Sequence, residues 1–212
     1  MNNIALIDYG LGNVRSISNA LESLGARPLL TSAPPVIMAA SGLVLPGVGA
    51  FPAGMANLAK RQLVEVIKDY ARSGRPVLAI CLGMQLLFDE SEEFGHSPGL
   101  GLVAGRVVRL PVSPGCADKL PHVSWNEVLE PAPDRWRDSL LATTPSGAHV
   151  YFVHSYCGQP VDRRDILAET SYGGNRFCSA VHRGNVHGFQ FHPEKSGPVG
   201  LAILRKFAQT CS

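Results

Sequence analysis

Apolar residues along the first hundred positions switch period repeatedly between strand and helix. NIALIDY (3–9) is a short apolar run suited to a buried strand. VRSISNALESLG (14–25) then spaces its apolar residues as a helix does, with Gly25 to end it. ARPLLT (26–31) is predicted as a second strand, and the proline-rich segment after it reads as a loop. SGLVLPGVGAF (41–51) is a brief strand running into glycines. NLAKRQLVEVIKDYARSG (57–74) reads as one helix, because Leu58, Leu63, Val66, Ile67 and Tyr70 recur at helical spacing and Gly74 stops it. RPVLAI (75–80) is the next strand and CLGMQLLF (81–88) an apolar helix. Such alternation implies right-handed crossovers and a mainly parallel sheet covered on both faces.

Beyond residue 100 the period shortens to two. AHVYFVHSY (148–156), DILAETSY (165–172), FCSAVHRG (177–184) and VHGFQFHP (186–193) predict additional antiparallel strands, with RGN (183–185) as a tight hairpin. GPVGLAILRKFAQ (197–209) closes the chain as a helix. No repeat, linker or low-complexity segment interrupts the pattern, so an α/β chain with one domain over residues 1–212 is expected.

Composition narrows the function classes. A formal charge of +2, with no basic block among aromatics, gives no reason to expect nucleic acid or an anionic membrane as partner. No apolar run approaches the roughly 18 residues of a membrane span, and MNNIALIDYG has no basic region leading into an apolar one. A cytosolic protein with a small-molecule or protein partner is expected. The five cysteines, Cys81, Cys116, Cys157, Cys178 and Cys211, lack the paired spacing of a zinc or redox site, so no metal is expected.

Chemistry concentrates at three places. Cys81 lies at the carboxyl end of a predicted strand, where ligands of open α/β sheets gather. The turn aims its sulfur outward, and the N-terminus of the next helix adds positive charge and free N–H groups that favour thiolate. Gly83 is small, as a nucleophile elbow requires, and Gln85 leans back one turn towards Cys81, within reach of a bound substrate. In an arbitrary apolar run a cysteine is more often a small buried hydrophobe, but the seam position favours function. His192 ends an alternating strand at Pro193, and Glu194 shares its face, giving a base with an orienting carboxylate. His96, His122, His149, His154, His182 and His187 lack such a neighbour, and most read as solvated or core-satisfied. In LPGVGAF (45–51), Gly47 and Gly49 let the peptide around Val48 turn its N–H inward, where it and the Leu82 N–H would hold an oxyanion. An ordinary turn would use the same residues; neither G-x-G-x-x-G nor a Walker pattern is present.

Together, the C-x-G-x-Q elbow, the upstream P-G-V-G loop and the downstream F-H-P-E resemble the class I, triad-type glutamine amidotransferases. DYGLGNVRSISNAL, LPGVGAF, AICLGMQLLFDESEE, KLPHVSWNEV, YFVHSY and FQFHPEKSG bring the chain closest, from end to end, to the glutaminase subunits of imidazole glycerol phosphate synthases. The resemblance implies that Cys81 attacks the side-chain amide of glutamine, His192 moves the proton and Glu194 orients it. It implies that Gly49, Gln85, Ser155 and Tyr156 hold the glutamine, with no cofactor. Ammonia would pass to a (β/α)8-barrel cyclase subunit of histidine biosynthesis, which forms imidazole glycerol phosphate and an aminoimidazole carboxamide ribotide. Asn13, Pro121, His122, Trp125, Asn126 and Lys195 would face that partner in a heterodimer; read alone, Trp125 fits a core position and Lys195 a solvated charge. Ser124 stands where the family usually has Gly, and SPGCADKL (113–120) is slightly long for it. A stand-alone cysteine hydrolase of γ-glutamyl substrates is the alternative, and a non-catalytic binding subunit a third. The intact triad disfavours the third, and the exposed-looking PHVSWN segment favours a partnered subunit over the second.

Overall fold

In the computed structural model, which describes residues 2–211, the apolar runs become a parallel sheet buried on both faces. Strands β1 (Asn3–Ile7), β2 (Arg27–Thr31), β3 (Gly42–Leu45) and β4 (Val77–Ile80) alternate with helices α1 (Val14–Ser23), α2 (Pro34–Ala39), α3 (Phe51–Lys60) and α4 (Leu63–Arg72). After α5 (Leu82–Leu86) come β5 (Phe88–Ser91), β6 (Ser97–Pro98), β7 (Val103–Arg109), β8 (His122–Val128), β9 (Ala148–His154) and β10 (Tyr156–Pro160). The chain ends with β11 (Ile166–Tyr172), β12 (Asn175–Arg183), β13 (Val186–Phe189) and α6 (Gly197–Thr210). The main sheet runs β2-β1-β3-β4-β13-β12-β10-β7-β5-β6, with β11 beside β12. Its first five strands are mutually parallel; antiparallel pairing begins at the β12–β13 hairpin, whose Arg183↔Val186 register leaves a two-residue turn at Gly184 and Asn185. Strands β8 and β9 form a separate antiparallel pair.

Strand alternation sorts the core into two layers. Ile4, Leu6, Val44, Leu78 and Ile80 pack with Ile17 and Leu21 of α1 and with Ile203, Leu204 and Phe207 of α6. Ala5, Ile7, Leu43, Leu45, Val77 and Ala79 pack with Leu58, Leu63, Ile67 and Tyr70 on the other face. Each fully buried Leu, Ile or Phe contributes ~1.5–3 kcal/mol relative to exposure, which is why a run with no polar face is stable here as a strand.

Three expectations change. The proline-rich segment is not a loop but α2, since Pro34 and Pro35 occupy the first turn, where a missing N–H costs nothing. Residues 57–74 are not one helix: α3 ends and α4 begins around Gln62, which is left-handed at φ 57°. The apolar row continues across the break, so Leu58, Leu63, Ile67 and Tyr70 are buried while Val66 is only partly so. Strands β5 to β8 and β10 lie where no strand is read from the sequence. Among the described residues no helix is long and apolar enough to cross a membrane.

Candidate active site

Three neighbouring parallel strands end side by side, and this convergence builds the site. Leu45 of β3 pairs with Ala79 of β4, and Phe189 of β13 with Ile80. The residues just beyond those ends are therefore Pro46–Gly49, Cys81 and His192, distant in sequence and adjacent in space. Cys81 has φ 56° and ψ −113°, an uncommon conformation for a non-glycine residue, held by its N–H donating to the Phe189 carbonyl at 2.7 Å. The turn permits no side chain at residue 83, where a Cβ would stand 2.0 Å from the Leu45 carbonyl oxygen. Gly47 is likewise pressed, with the Tyr9 hydroxyl 2.5 Å and the Gly83 nitrogen 2.8 Å from where its Cβ would be. Tyr9 donates its hydroxyl to the Pro46 carbonyl at 2.7 Å, fixing the base of this loop. Gly49 differs: it has φ +106° with open space around it, so backbone freedom rather than crowding explains the glycine.

The sulfur of Cys81 is nearly buried, at 6% residue exposure, with the Val153 carbonyl and the Gln190 side-chain amide each 3.8 Å away. His192 and Glu194 lie together in the interior, joined by an Nδ1–H···Oε1 hydrogen bond of 2.8 Å. His192 Nε2 is buried and makes no hydrogen bond within the protein. Burial pulls the His192 pKa down, but the interaction with Cys81, the hydrogen bond to Glu194 and the charge of both outweigh it, raising the pKa to about 9. The imidazole is thus built to carry a proton beside the sulfur. Asn13 also reaches Glu194 Oε1, at 3.5 Å.

A cavity of about 280 Å³ opens on Cys81, lined by Val48, Gly49, Leu82, Gln85, Glu93, Val153, His154, Ser155 and Tyr156. At the low end of small-molecule pockets, it suits a metabolite rather than a nucleotide cofactor. Gln85 donates to the Tyr156 carbonyl and to the Gln190 side-chain oxygen, both at 3.0 Å, so its amide is oriented before any ligand arrives. Of the residues singled out from the sequence, Val48, Gly49, Cys81, Leu82, Gln85, Ser155 and Tyr156 line this cavity, while His192 and Glu194 are not among its lining. Glu93, His154, Gln190 and Tyr9 were missed. Glu93 is nearly buried and accepts the Phe51 N–H at 2.7 Å, capping α3 at the pocket edge. Gln190 had a signal, an uncharged polar residue two before His192 in an apolar run; Glu93 and Tyr9 had none.

The surface set is divided. On β8 the residues alternate, leaving Val123 and Trp125 half exposed at 51% and 52%, and Pro121 is exposed beside them. Trp125 packs edge-on against Tyr151 of β9, and the Lys195 ammonium lies 5.6 Å from that ring. Asn13 and Asn126 are partly buried. His122 departs from expectation: strand alternation turns it inward to 0% exposure, so it cannot belong to a docking face. Ser124 sits in the regular β8–β9 ladder opposite Phe152. The segment around SPGCADKL packs on the β11–β12 hairpin through Asp118 with the Gly173 N–H and Ser113 with Asn175. His96 has a carboxylate partner after all, Glu90 at 2.7 Å.

Comparison with known proteins follows this geometry. The family described as glutamine amidotransferase class-I matches residues 5–211. A relative from Lacticaseibacillus casei (strain BL23), named imidazole glycerol phosphate synthase subunit HisH, is 48% identical, with 97% of this chain and 95% of that one covered. A Thermosynechococcus vestitus protein of the same name is also 48% identical, covering 96% and 95%. A Legionella pneumophila (strain Lens) protein, subunit HisH 1 of the same synthase, is 44% identical over 99% and 100%. Among solved structures, one described as a glutamine amidotransferase has a TM-score of 0.72 at 16% identity, covering 98% of each chain. PurLQS from Thermotoga maritima gives 0.70 at 18%, covering 100% and 98%. These two speak for the fold alone.

Proposed function

The chain belongs to the glutamine amidotransferase class-I family, and on that premise we propose that it is the glutaminase subunit of an imidazole glycerol phosphate synthase. The observation that carries the reading is one cavity bringing together a strained Cys81, the Gln85 amide and the Ser155–Tyr156 backbone, with the His192–Glu194 pair behind the sulfur.

In this reading His192 holds the thiol proton and Cys81 attacks the side-chain carbonyl carbon of glutamine. The oxyanion is met by the Leu82 N–H at the start of α5 and by the Val48 N–H once its peptide faces inward. Collapse of the tetrahedral adduct breaks the C–N bond; His192 gives its proton to the leaving nitrogen, and ammonia departs. Water, deprotonated by His192, then hydrolyses the thioester to glutamate and frees Cys81. Glu194 keeps the imidazole in one orientation through both halves. Glu93 suits the α-ammonium of the substrate, Gln85 and Gly49 its polar groups. The Tyr156 carbonyl is already filled by Gln85, which leaves Tyr156 its N–H for the α-carboxylate.

Ammonia would be used by a (β/α)8-barrel cyclase subunit in the cytosol, docked over Asn13, Pro121, Trp125, Asn126 and Lys195. The half-exposed Val123 and Trp125 support this over a stand-alone γ-glutamyl hydrolase. The test uses the complex reconstituted with the cyclase. Cys81→Ala abolishes glutamine-dependent synthesis and leaves ammonia-dependent synthesis intact; retained glutaminase activity removes Cys81 from the nucleophile's role.

A further inference from the structure

Two buried histidines outside the triad connect strand β8 to the floor of the pocket. His122 Nδ1 and His154 Nε2 are 3.0 Å apart, and His154 Nδ1 lies 2.8 Å from the Tyr156 carbonyl. Asn126 Nδ2 lies 3.4 Å from His122 Nε2 and donates to the Ser171 carbonyl at 2.9 Å. Direction follows from one fixed end. A carbonyl only accepts, so His154 Nδ1 must carry a hydrogen. Burial lowers the pKa of His154 to about 3, against the opposing hydrogen bond to the Tyr156 carbonyl and with the nearby His122 and His192 imidazoles adding to the lowering. Burial likewise takes His122 to about 4, against a smaller opposing effect of Asp118. Both rings are therefore neutral at pH 7. His154 Nε2 is then an acceptor, His122 Nδ1 must donate to it, and His122 Nε2 accepts from Asn126. One proton arrangement satisfies every link.

Packing alone does not call for this pair. His122 is stacked between Tyr172, with ring centroids 3.9 Å apart, and Phe152, at 4.8 Å, a slot that an apolar ring would fill. The chain of donors ends on the carbonyl that also accepts from Gln85, so both lone pairs of Tyr156 are committed. The Ser155 carbonyl beside it is taken by the Leu110 N–H at 2.9 Å. The pocket's backbone floor is thus pinned at two consecutive carbonyls, one of them through the histidine pair.

We propose that His122 and His154 form a positioning relay, ordered as Asn126→His122→His154→Tyr156, that holds the Ser155–Tyr156 backbone in register for substrate and ties it to strand β8. The proposal rests on reading the pocket as a glutamine site. His122→Phe keeps the stacked ring but removes the donor, leaving His154 Nε2 buried and unpaired. In the complex with its cyclase this raises the KM for glutamine about tenfold with kcat within about twofold. His122→Asn, whose amide places a donor near the Nδ1 position, restores most of the KM. An unchanged KM, a loss confined to kcat, or no difference between the two variants overturns the relay. A second measurement does not depend on activity or on the variants folding. Imidazole ¹⁵N shifts of the wild-type chain at pH 7 should show both rings as neutral Nδ1–H tautomers, against the Nε2–H form that solvated histidine prefers. An Nε2–H form at either position overturns the relay, whatever the glutaminase result. Wild-type complex that leaves glutamine uncleaved, with both tautomers as expected, would instead sink the functional reading.

Discussion

A single proton at His192 is held by two neighbours, Cys81 and Glu194, against the cost of burial. Burial opposes the charge, while Cys81 and Glu194 favour it strongly enough to raise the pKa to about 9. His192→Ala is expected to lower glutamine turnover by at least ~10²-fold, the ordinary worth of a positioned acid–base group. Glu194→Gln keeps an oxygen to accept the Nδ1–H and should cost less, because cysteine is already an able nucleophile. Asn13→Ala removes only a long 3.5 Å contact to the same carboxylate and should cost less again. Steady-state glutaminase kinetics in the complex rank the three; a His182 variant as damaging as His192→Ala would reassign the base. Gly83→Ala tests the elbow: its Cβ would collide with the Leu45 carbonyl, so a stability loss of ~1–3 kcal/mol or more is expected by urea denaturation.

Elements differ in how far they could be read from their residues. Strands β1, β3 and β4 were legible because buried parallel strands are continuous apolar runs, and the hairpin at Gly184 because its turn chemistry is local. The pocket residues were legible for a related reason: Cys81, Val48 and His192 sit at strand ends, which the period change marks. What was hidden depends on tertiary partners. Strand β5 begins inside an apolar stretch that suits a helix equally, and it becomes a strand by pairing with β7. The resemblance puts His122 at the partner face with its neighbours, whereas strand alternation turns it inward and leaves Val123 and Trp125 outside. Gln62 breaks the α3–α4 run without glycine or proline; the five-residue step from Leu58 to Leu63 was the trace of it. Gln62→Gly should relieve the left-handed backbone and raise stability by up to ~1 kcal/mol in urea unfolding. Trp125→Ala, on a half-exposed face, should leave the subunit's own stability within ~0.5 kcal/mol while weakening cyclase binding by ~1 kcal/mol or more in titration calorimetry. Unchanged affinity would move the docking face elsewhere.

For the molecule as a whole, histidine burial sets a pH window. His122, His154 and His187 are held near pKa about 4, about 3 and about 3 by desolvation first, so the folded chain refuses protons that the unfolded chain takes up below its ordinary value of 6.5. Their contribution is whole above that value and is lost as pH falls through the window. His192 runs oppositely: its contribution is whole below 6.5 and is lost as pH rises towards about 9. The histidine part of stability therefore peaks near neutrality, and urea midpoints measured across pH should decline on both sides; a flat acid limb would mean the three imidazoles are not buried neutral. The same burial bears on control by the partner. The Ser155–Tyr156 floor is pinned by interior groups before docking, which leaves the partner little to add to glutamine binding. The loop at Gly49 is different, with open space and a positive φ, and Lys195, on the proposed docking face, adjoins Glu194 in the chain. A cyclase carrying its ribonucleotide can favour the state with the Val48 N–H turned inward by binding it more tightly. Supplying one oxyanion donor is worth ~10²–10³ in turnover. Glutaminase kinetics of the free subunit, the complex and the liganded complex should therefore show kcat rising by that order with KM changed little. Full turnover in the free subunit would end the gating mechanism and favour an autonomous hydrolase, and a rise carried by KM alone would mean that the floor, not the loop, responds to docking.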